Sequence, residues 1–184
     1  MSNTINTARS LSRVVLALAL AGVAGSAIAA DKPAATGSSK ASSKDIERGR
    51  YLVMITGCND CHTPNFLVTG GKTPEKDRLT GGSLGWRGPW GTTYPANLRL
   101  YFQEMTEDQW VQVAKEIQRR PPMPYFSLNA MAEPDVRAIY RYVRHLGAAG
   151  QPAPKFLSAD KEPPQPYVQF PADERLASSP GAKK

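Results

Sequence analysis

The residues of this chain best suited to chemistry stand together in the stretch Cys58-Asn59-Asp60-Cys61-His62. They include both cysteines and one of the two histidines among 184 residues. Two cysteines separated by two residues and followed directly by a histidine are typical of covalent haem attachment. The thiols would form thioethers with the haem vinyl groups, and the adjacent imidazole would bind the iron. We therefore predict that Cys58 and Cys61 hold one haem c covalently and that His62 is an axial iron ligand.

Two other kinds of site could be built from a pair of cysteines at this spacing. Two cysteines in an exported chain would by default form a disulfide, but closing a loop of two intervening residues stabilises a fold little. A redox-active disulfide of the thioredoxin type needs a βαβ context, and no such strands are predicted nearby. Zinc needs four ligands, and Cys61 and His62 are adjacent rather than spaced as zinc ligands usually are. The motif therefore favours haem.

A second iron ligand is predicted in the segment Pro121-Pro122-Met123-Pro124. Prolines on both sides force an extended backbone and exclude Met123 from the apolar stripe of a helix. A thioether held on a stiff loop is well suited to be the second axial ligand of a haem, and Met123 is predicted in that role. His145 is interpreted as a surface group whose charge suits the C-terminal end of a helix.

Three amphipathic helices are predicted to position these residues. The first spans residues 44–56, where Ser42 begins a capping box and the apolar residues share one face. The second begins after Thr106, with a second capping box, and continues to about residue 119. The third spans residues 133–146 and has the most regular helical spacing of apolar residues. Because the helices make up most of the regular structure that the sequence predicts, we expect an all-α fold.

Glycine marks two places where the backbone is expected to approach another group closely. Gly49 lowers the helix propensity of the first helix, which suggests that another helix packs against it there. Seven glycines fall between Gly70 and Gly91, together with Trp86 and Trp90. We predict that this segment wraps closely around a flat ligand, although an exposed loop with two packed tryptophans would have the same composition.

The two ends of the chain differ in composition from the helical part. Residues 1–29 have two arginines and no acid, a short apolar run and a small-x-small cleavage site, as in a secretory signal peptide. An uncleaved anchor is the alternative, but the apolar run is short for spanning a bilayer. Residues 30–43 are predicted to be a flexible leader, 44–147 the domain, and 148–184 a Pro-rich tail that lies along the surface or is disordered after Pro171.

The charge of the chain bears on its location and partners. The formal net charge is +7, and loss of a signal peptide with two arginines and no acid would leave +5. A moderate positive charge favours anionic partners. The basic residues are scattered, and an exported protein seldom meets nucleic acid, so we expect no nucleic-acid partner. We expect a periplasmic protein without a transmembrane segment after cleavage, whose redox partner proteins offer an acidic docking surface.

The order of these features resembles that of class I c-type cytochromes over about residues 44–147. The stretches GRYL (49–52), TGCNDCHT (56–63), YPANL (94–98) and MPYF (123–126) are similar to single-haem modules in the cytochrome c subunits of bacterial alcohol and related dehydrogenases. The resemblance implies a class I cytochrome c-like domain with long loops that wrap one haem.

The same resemblance implies roles for individual residues. By position, Cys58 and Cys61 would bind haem covalently, His62 would be the proximal ligand and Met123 the distal one. The first and last helices would cross near Gly49, and residues 94–98 would lie near the haem. The stretch that begins at Arg99 departs from the familiar pattern, as does the long Pro-rich tail.

These ligands predict a function in electron transfer. Iron with His and Met ligands has no open position for a substrate, so we expect an exported mono-haem c-type cytochrome rather than an enzyme. It would transfer single electrons between redox partners, for example as the electron acceptor of a periplasmic dehydrogenase. The alternative is a haem sensor or peroxidase-like domain with an open distal site, which requires that Met123 does not bind. In a third interpretation the protein is a fixed subunit whose Pro-rich tail binds a dehydrogenase.

Overall fold

The computed structural model of the protein describes residues 41–172. The predicted signal peptide, most of the predicted leader and the end of the tail lie outside the described residues. Within residues 41–172 no helix has the length and apolar character needed to cross a membrane.

Six α-helices form most of the regular structure in this part of the chain. Three are long enough to build the core, and the other three are short and lie in the connections between them. Two single turns of 3₁₀ helix, at Glu75–Asp77 and Phe102–Glu104, complete the helical structure. The α-helices are α1 Ser43–Ile55, α2 Cys58–His62, α3 Leu98–Tyr101, α4 Glu107–Glu116, α5 Tyr125–Ala130 and α6 Glu133–Leu146.

The long helices begin where their capping residues predict. The side chain of Ser42 accepts a hydrogen bond from the Asp45 backbone N–H at 3.2 Å, and the Asp45 carboxylate accepts one from the Ser42 backbone N–H at 3.3 Å. Thr106 and Gln109 form the same capping box at the start of α4. Both capping boxes are thus confirmed, and α6 has the predicted bounds.

The second long helix ends three residues earlier than the sequence predicts. The backbone turns to an extended conformation at Ile117. There the side-chain amide of Asn129 donates to the carbonyl oxygens of Ala114 at 2.7 Å and Ile117 at 3.3 Å. These carbonyls belong to the last turn of α4, where no helical N–H is available to them. A residue of α5 therefore supplies the hydrogen bonds that end α4. The sequence around α4 alone could not predict this contact.

The first and last long helices cross at Gly49. A Cβ atom added at this glycine would lie 2.6 Å from the Cβ of Tyr142 and would overlap the backbone of Ala138. Real Cβ atoms do not approach other atoms so closely, so only glycine allows α1 and α6 to pack at this distance. The predicted close approach of another helix at Gly49 is confirmed.

The buried core lies between α1, α4 and α6 and is centred on Phe102. The Phe102 ring lies 4.4 Å from that of Trp110 and is stacked at 5.7 Å on that of Tyr140. Trp110 donates its indole N–H to the Val136 carbonyl at 3.0 Å, so its polar atom is satisfied inside the core. The side chains of this core pack the three long helices against one another.

The prediction of an all-α fold is wrong, because the protein also contains a three-stranded sheet. The strands are β1 (Gly85–Gly88), β2 (Gly91–Thr93) and β3 (Tyr167–Gln169), in the order β2-β1-β3. β1 pairs antiparallel with β2 and parallel with β3. The strands are short, two are rich in glycine, and β3 is far from its partner in sequence. None therefore shows the alternation by which strands are usually predicted.

The Pro-rich segment 149–170, here called the C-terminal strap, folds back onto this sheet. Leu157 exchanges two backbone hydrogen bonds with Thr92, at 2.7 and 3.0 Å. The ring of Phe170 lies 5.2 Å from that of Trp90 and 6.1 Å from that of Trp86. The ring of Phe170 thus packs on two of the protein's own tryptophans, and this part of the tail lies along the surface of the domain.

Candidate haem-binding site

A cavity of about 330 Å³ lies between the helical core and the sheet. This volume is within the range of binding sites for small molecules and cofactors. Cys58, Cys61, His62 and Met123 all line it, although Met123 is far from the other three in sequence. The structure therefore brings together all four residues that the sequence predicts as haem-binding or iron-binding.

Both cysteines belong to α2, which begins directly after a sharp turn at the end of α1. Gly57 makes this turn with a positive φ of 73°, which glycine adopts without strain. Both thiols are free, and the Thr56 hydroxyl lies 3.3 Å from the Sγ of Cys58. Both side chains are partly buried and line the cavity.

The acidity of the thiols argues against a redox-active disulfide. Burial raises the pKa of Cys58, and the contact with Thr56 offsets only part of this. Burial raises the pKa of Cys61 as well, and the nearby Asp60 carboxylate adds to the effect. Redox-active cysteines have lowered pKa values because the thiolate is the reacting form. The disulfide interpretation therefore has no support from the surroundings of this pair.

The imidazole of His62 is held in the orientation and tautomer of a metal ligand. Its Nδ1 lies 2.8 Å from the backbone carbonyl oxygen of Ala96. A carbonyl can only accept, so Nδ1 carries the proton and donates, and Nε2 keeps a free lone pair. Burial lowers the pKa of His62, more than the bond to Ala96 raises it, which favours the neutral ring. Histidines that bind a metal typically donate their other ring N–H to such an acceptor, so the geometry of His62 suits a metal ligand.

Met123 is positioned by a tight turn centred on the proline that follows it. Pro124 has φ −81° and ψ 63°, and the Tyr125 N–H donates to the Met123 carbonyl at 2.9 Å. These values are those of an inverse γ-turn. The segment is also tied to β2, because the Thr93 hydroxyl donates to the Pro121 carbonyl at 3.0 Å. The thioether of Met123 is thus held at the cavity by a stiff loop with a hydrogen bond to the sheet.

Three buried polar groups of the cavity wall lack a hydrogen-bond partner within residues 41–172. They are the indole N–H of Trp86, the hydroxyl of Tyr94 and the Nε–H of Arg120. Buried donors are rarely left without an acceptor, because the lost hydrogen bond costs about 1–3 kcal/mol. Donors of this kind in a largely apolar cavity are suited to the carboxylates of a haem. The residues present therefore fit a haem, with two thiols, an imidazole, a thioether and donors for anionic groups.

The remaining predicted groups lie elsewhere. His145 is exposed near the end of α6 and does not line the cavity. The described residues contain no cluster of three or more His, Cys, Asp or Glu side chains that could hold a metal ion. The zinc interpretation therefore has no support in this part of the chain.

Arg120 and Phe156 line the cavity, although nothing in the sequence was a reason to place either of them there. In the sequence, Arg120 is a cation near the end of a helix, and Phe156 is one aromatic residue of the Pro-rich tail. The signal that could have drawn attention to Phe156 is its place as a large aromatic residue among prolines, but its contacts depend on the whole strap.

Comparison of the chain with protein-family models, with curated proteins and with solved structures gives no match. The functional argument therefore rests on the residues and the geometry of the site.

Proposed function

We propose that this protein is an exported mono-haem c-type cytochrome that transfers single electrons between redox partners. The observation that carries the proposal is the meeting of Cys58, Cys61, His62 and Met123 at one cavity. The free Nε2 of His62 adds to it, because the bond to Ala96 leaves only that nitrogen able to bind iron.

Each residue has a distinct part in this proposal. Cys58 and Cys61 hold the haem by thioether bonds, and the Ala96 carbonyl fixes the direction in which His62 presents Nε2. Met123 supplies sulfur as the second ligand, which raises the reduction potential relative to a second histidine. When bound here, the haem iron would accept and release single electrons. The protein supplies ligands, a largely apolar surrounding and a docking surface, and makes no bond in a substrate.

The charge at the cavity rim supports an acidic redox partner. Arg119 and Arg120 line the cavity, and no carboxylate side chain does so among the described residues. Arg119 is exposed, and its guanidinium bonds within residues 41–172 only to the carbonyl of the adjacent Gln118. By contrast, Arg48, Arg87 and Arg141 each pair with an acidic side chain. The free positive charge of the rim would speed encounters with an acidic surface.

The test of haem attachment uses the full chain, exported in a bacterial host that attaches c-type haem. We expect haem to remain with the wild-type protein after denaturing electrophoresis and to be lost from a variant with Cys58→Ser and Cys61→Ser. Ser127→Ala changes another residue of the cavity wall and should retain haem. A wild-type protein without covalent haem, or a double serine variant that keeps it, would contradict the proposal.

The absorption spectrum decides between an electron carrier and the alternative with an open distal site. A six-coordinate, low-spin spectrum in both oxidation states, with no binding of carbon monoxide to the reduced protein, is expected for a carrier. A high-spin spectrum and ready binding of carbon monoxide would instead support a haem sensor or peroxidase-like domain. The measurement reports the haem type and the sixth ligand together.

The charge of the docking surface can be tested with small redox reagents. We expect the haem to react faster with an anionic reagent such as ferricyanide than with a cationic cobalt complex of similar size. Salt should reduce the difference, because mobile ions screen exposed charges. Arg119→Gln should also reduce it, whereas Lys161→Gln, a charge change on an exposed strap residue that does not line the cavity, should have less effect. A rate with ferricyanide that does not fall as salt is added would contradict a positive docking surface.

A further inference from the structure

The cavity wall contains one contact that joins the C-terminal strap to the site. The guanidinium of Arg120 lies over the ring of Phe156, 4.0 Å from its centroid. This is the shortest of the arginine–aromatic contacts in the described part of the chain, where the others range from 5.6 to 6.0 Å. A cation at this distance over an aromatic face is attracted by the negative face of the ring. Phe156 therefore restrains the position of Arg120.

Phe156 is itself held by the sheet. A Cβ atom at Gly91 would lie 2.8 Å from two carbon atoms of the Phe156 ring, so the ring packs directly on the backbone of β2. The next residue, Leu157, is joined to Thr92 by two backbone hydrogen bonds. The ring thus has a fixed support on β2, and the guanidinium of Arg120 stacks on it.

The stacked Arg120 keeps one buried donor unused. Its Nε–H has no hydrogen-bond partner within residues 41–172, although the atom is buried and the side chain lines the cavity. A positive group with a free, buried donor is suited to bind an anion. The Phe156 ring holds the guanidinium from one face. It cannot accept the hydrogen bond of the Nε–H, because that bond points along the plane of the guanidinium.

The geometry points to Phe156 as a positioning residue that holds Arg120 for a carboxylate group of the haem, so that the C-terminal strap is part of the cofactor site. This inference rests on the proposed function. It gives the strap a role in the protein's own redox site, where the sequence suggested either an extended tail or a means of binding a dehydrogenase.

The reduction potential should report this role. A positive charge near the iron stabilises the reduced form, which carries one more electron, and the effect is strongest where water is excluded. Arg120 lines the cavity and its Nε is buried, whereas the adjacent Arg119 is exposed and screened by solvent. Loss of the charge at position 120, or loss of the ring that holds it, should therefore lower the potential.

The experiment measures the potential and the absorption spectrum of the full haem-loaded protein. Arg120→Gln should lower the potential by more than Arg119→Gln, which removes the same charge one residue away. Phe156→Leu should lower it in the same direction, and Phe156→Tyr, which keeps an aromatic face, should restore it. Phe126→Leu is the matched control, because Phe126 is exposed and does not line the cavity. All variants should keep the spectrum of the wild type, since none changes an iron ligand.

The outcomes separate this inference from the proposed function. If Arg120→Gln shifts the potential no more than Arg119→Gln, or Phe156→Leu no more than Phe126→Leu, the inference is wrong although the haem proposal stands. If the wild type carries no covalent haem, both are wrong. Should Arg120→Gln fail to fold, Arg120→Lys keeps the charge without the planar fork, and it should lower the potential by a smaller amount; an unchanged potential would overturn the inference.

Discussion

A Cβ atom at position 49 would lie 2.6 Å from the Cβ of Tyr142, so Gly49 sets the distance between α1 and α6. On helix propensity alone, Gly49→Ala would stabilise the protein by roughly 1 kcal/mol. We expect instead a loss of about 1–3 kcal/mol in the free energy of unfolding, since the methyl group would push the helices apart. Urea denaturation measures this change. Glu47→Ala, at an exposed site of the same helix, should have little effect, and a stabilised Gly49→Ala variant would contradict the close crossing.

The sulfur of Met123 can be tested with a change that conserves volume. Met123→Leu should give a high-spin haem that binds carbon monoxide and has a lower reduction potential, because leucine fills the space but cannot bind iron. Met131→Leu is the matched control, since Met131 also lines the cavity. Absorption spectra of both variants decide the matter, and an unchanged spectrum for Met123→Leu would exclude Met123 as a ligand.

Arg99 is buried and stabilises the end of the last helix. Its guanidinium donates to the backbone carbonyls of Leu146 and Gly147, and to that of Lys76 at 2.9 Å. Arg99→Ala would leave these acceptors without partners, so we expect a loss of about 3 kcal/mol in the free energy of unfolding.

Arg99→Lys should recover only part of this loss, because lysine lacks the planar fork that reaches several carbonyls at once. Arg119→Ala, at an exposed arginine, serves as the control and should change stability little. Thermal unfolding of the three variants gives the comparison, and equal melting temperatures for the two alanine variants would contradict this role.

Glu75 should make stability depend on pH in the acid range. Burial raises the pKa of Glu75, but hydrogen bonds from Arg50 at 2.6 Å and Tyr142 at 2.9 Å outweigh it and hold the pKa below its usual range. A lowered folded-state pKa adds stability above the unfolded-state pKa of about 4.3. This stability is lost as the pH falls through the lower folded-state pKa.

The expected size of this effect is at most about 1 kcal/mol, because the Arg50–Glu75 pair is more than a third exposed and is screened by solvent. Free energies of unfolding between pH 3 and 7 should fall less steeply with acid in Glu75→Gln than in the wild type. Glu116→Gln, which makes the same change at an exposed carboxylate of α4, should keep the slope of the wild type. Identical slopes for wild type and Glu75→Gln would show that the carboxylate contributes nothing.

Local sequence was sufficient where local interactions decide the structure. The capping residues Ser42 and Thr106 and the apolar spacing of α6 act within one or two turns of helix, and these helices begin as predicted. The four residues at the cavity were found because two cysteines, a histidine and a proline-flanked methionine have few other uses in such patterns. The residue types and their spacing were therefore sufficient to assign all four to one site before the fold was known.

The sheet could not be predicted, because its stability comes from contacts that are distant in sequence. Trp86 in β1 pairs with Val168 in β3, and the ring of Phe170 completes the packing on Trp90. A strand of three or four residues has too little pattern to be recognised alone. For the same reason, neither Arg120 nor Phe156 could be linked to the cavity from sequence, since their contact depends on the path of the strap.

The parallel pairing of β1 with β3 also constrains the order in which the protein can be completed. Because β3 lies at Tyr167–Gln169, far from β1 in sequence, the sheet cannot close until the chain has been synthesised at least to Gln169. The helix α2, which carries Cys58 and Cys61, is synthesised much earlier, before Phe156 can reach the cavity wall. If these thiols bind a haem as proposed, they would be open to it before the strap is in place.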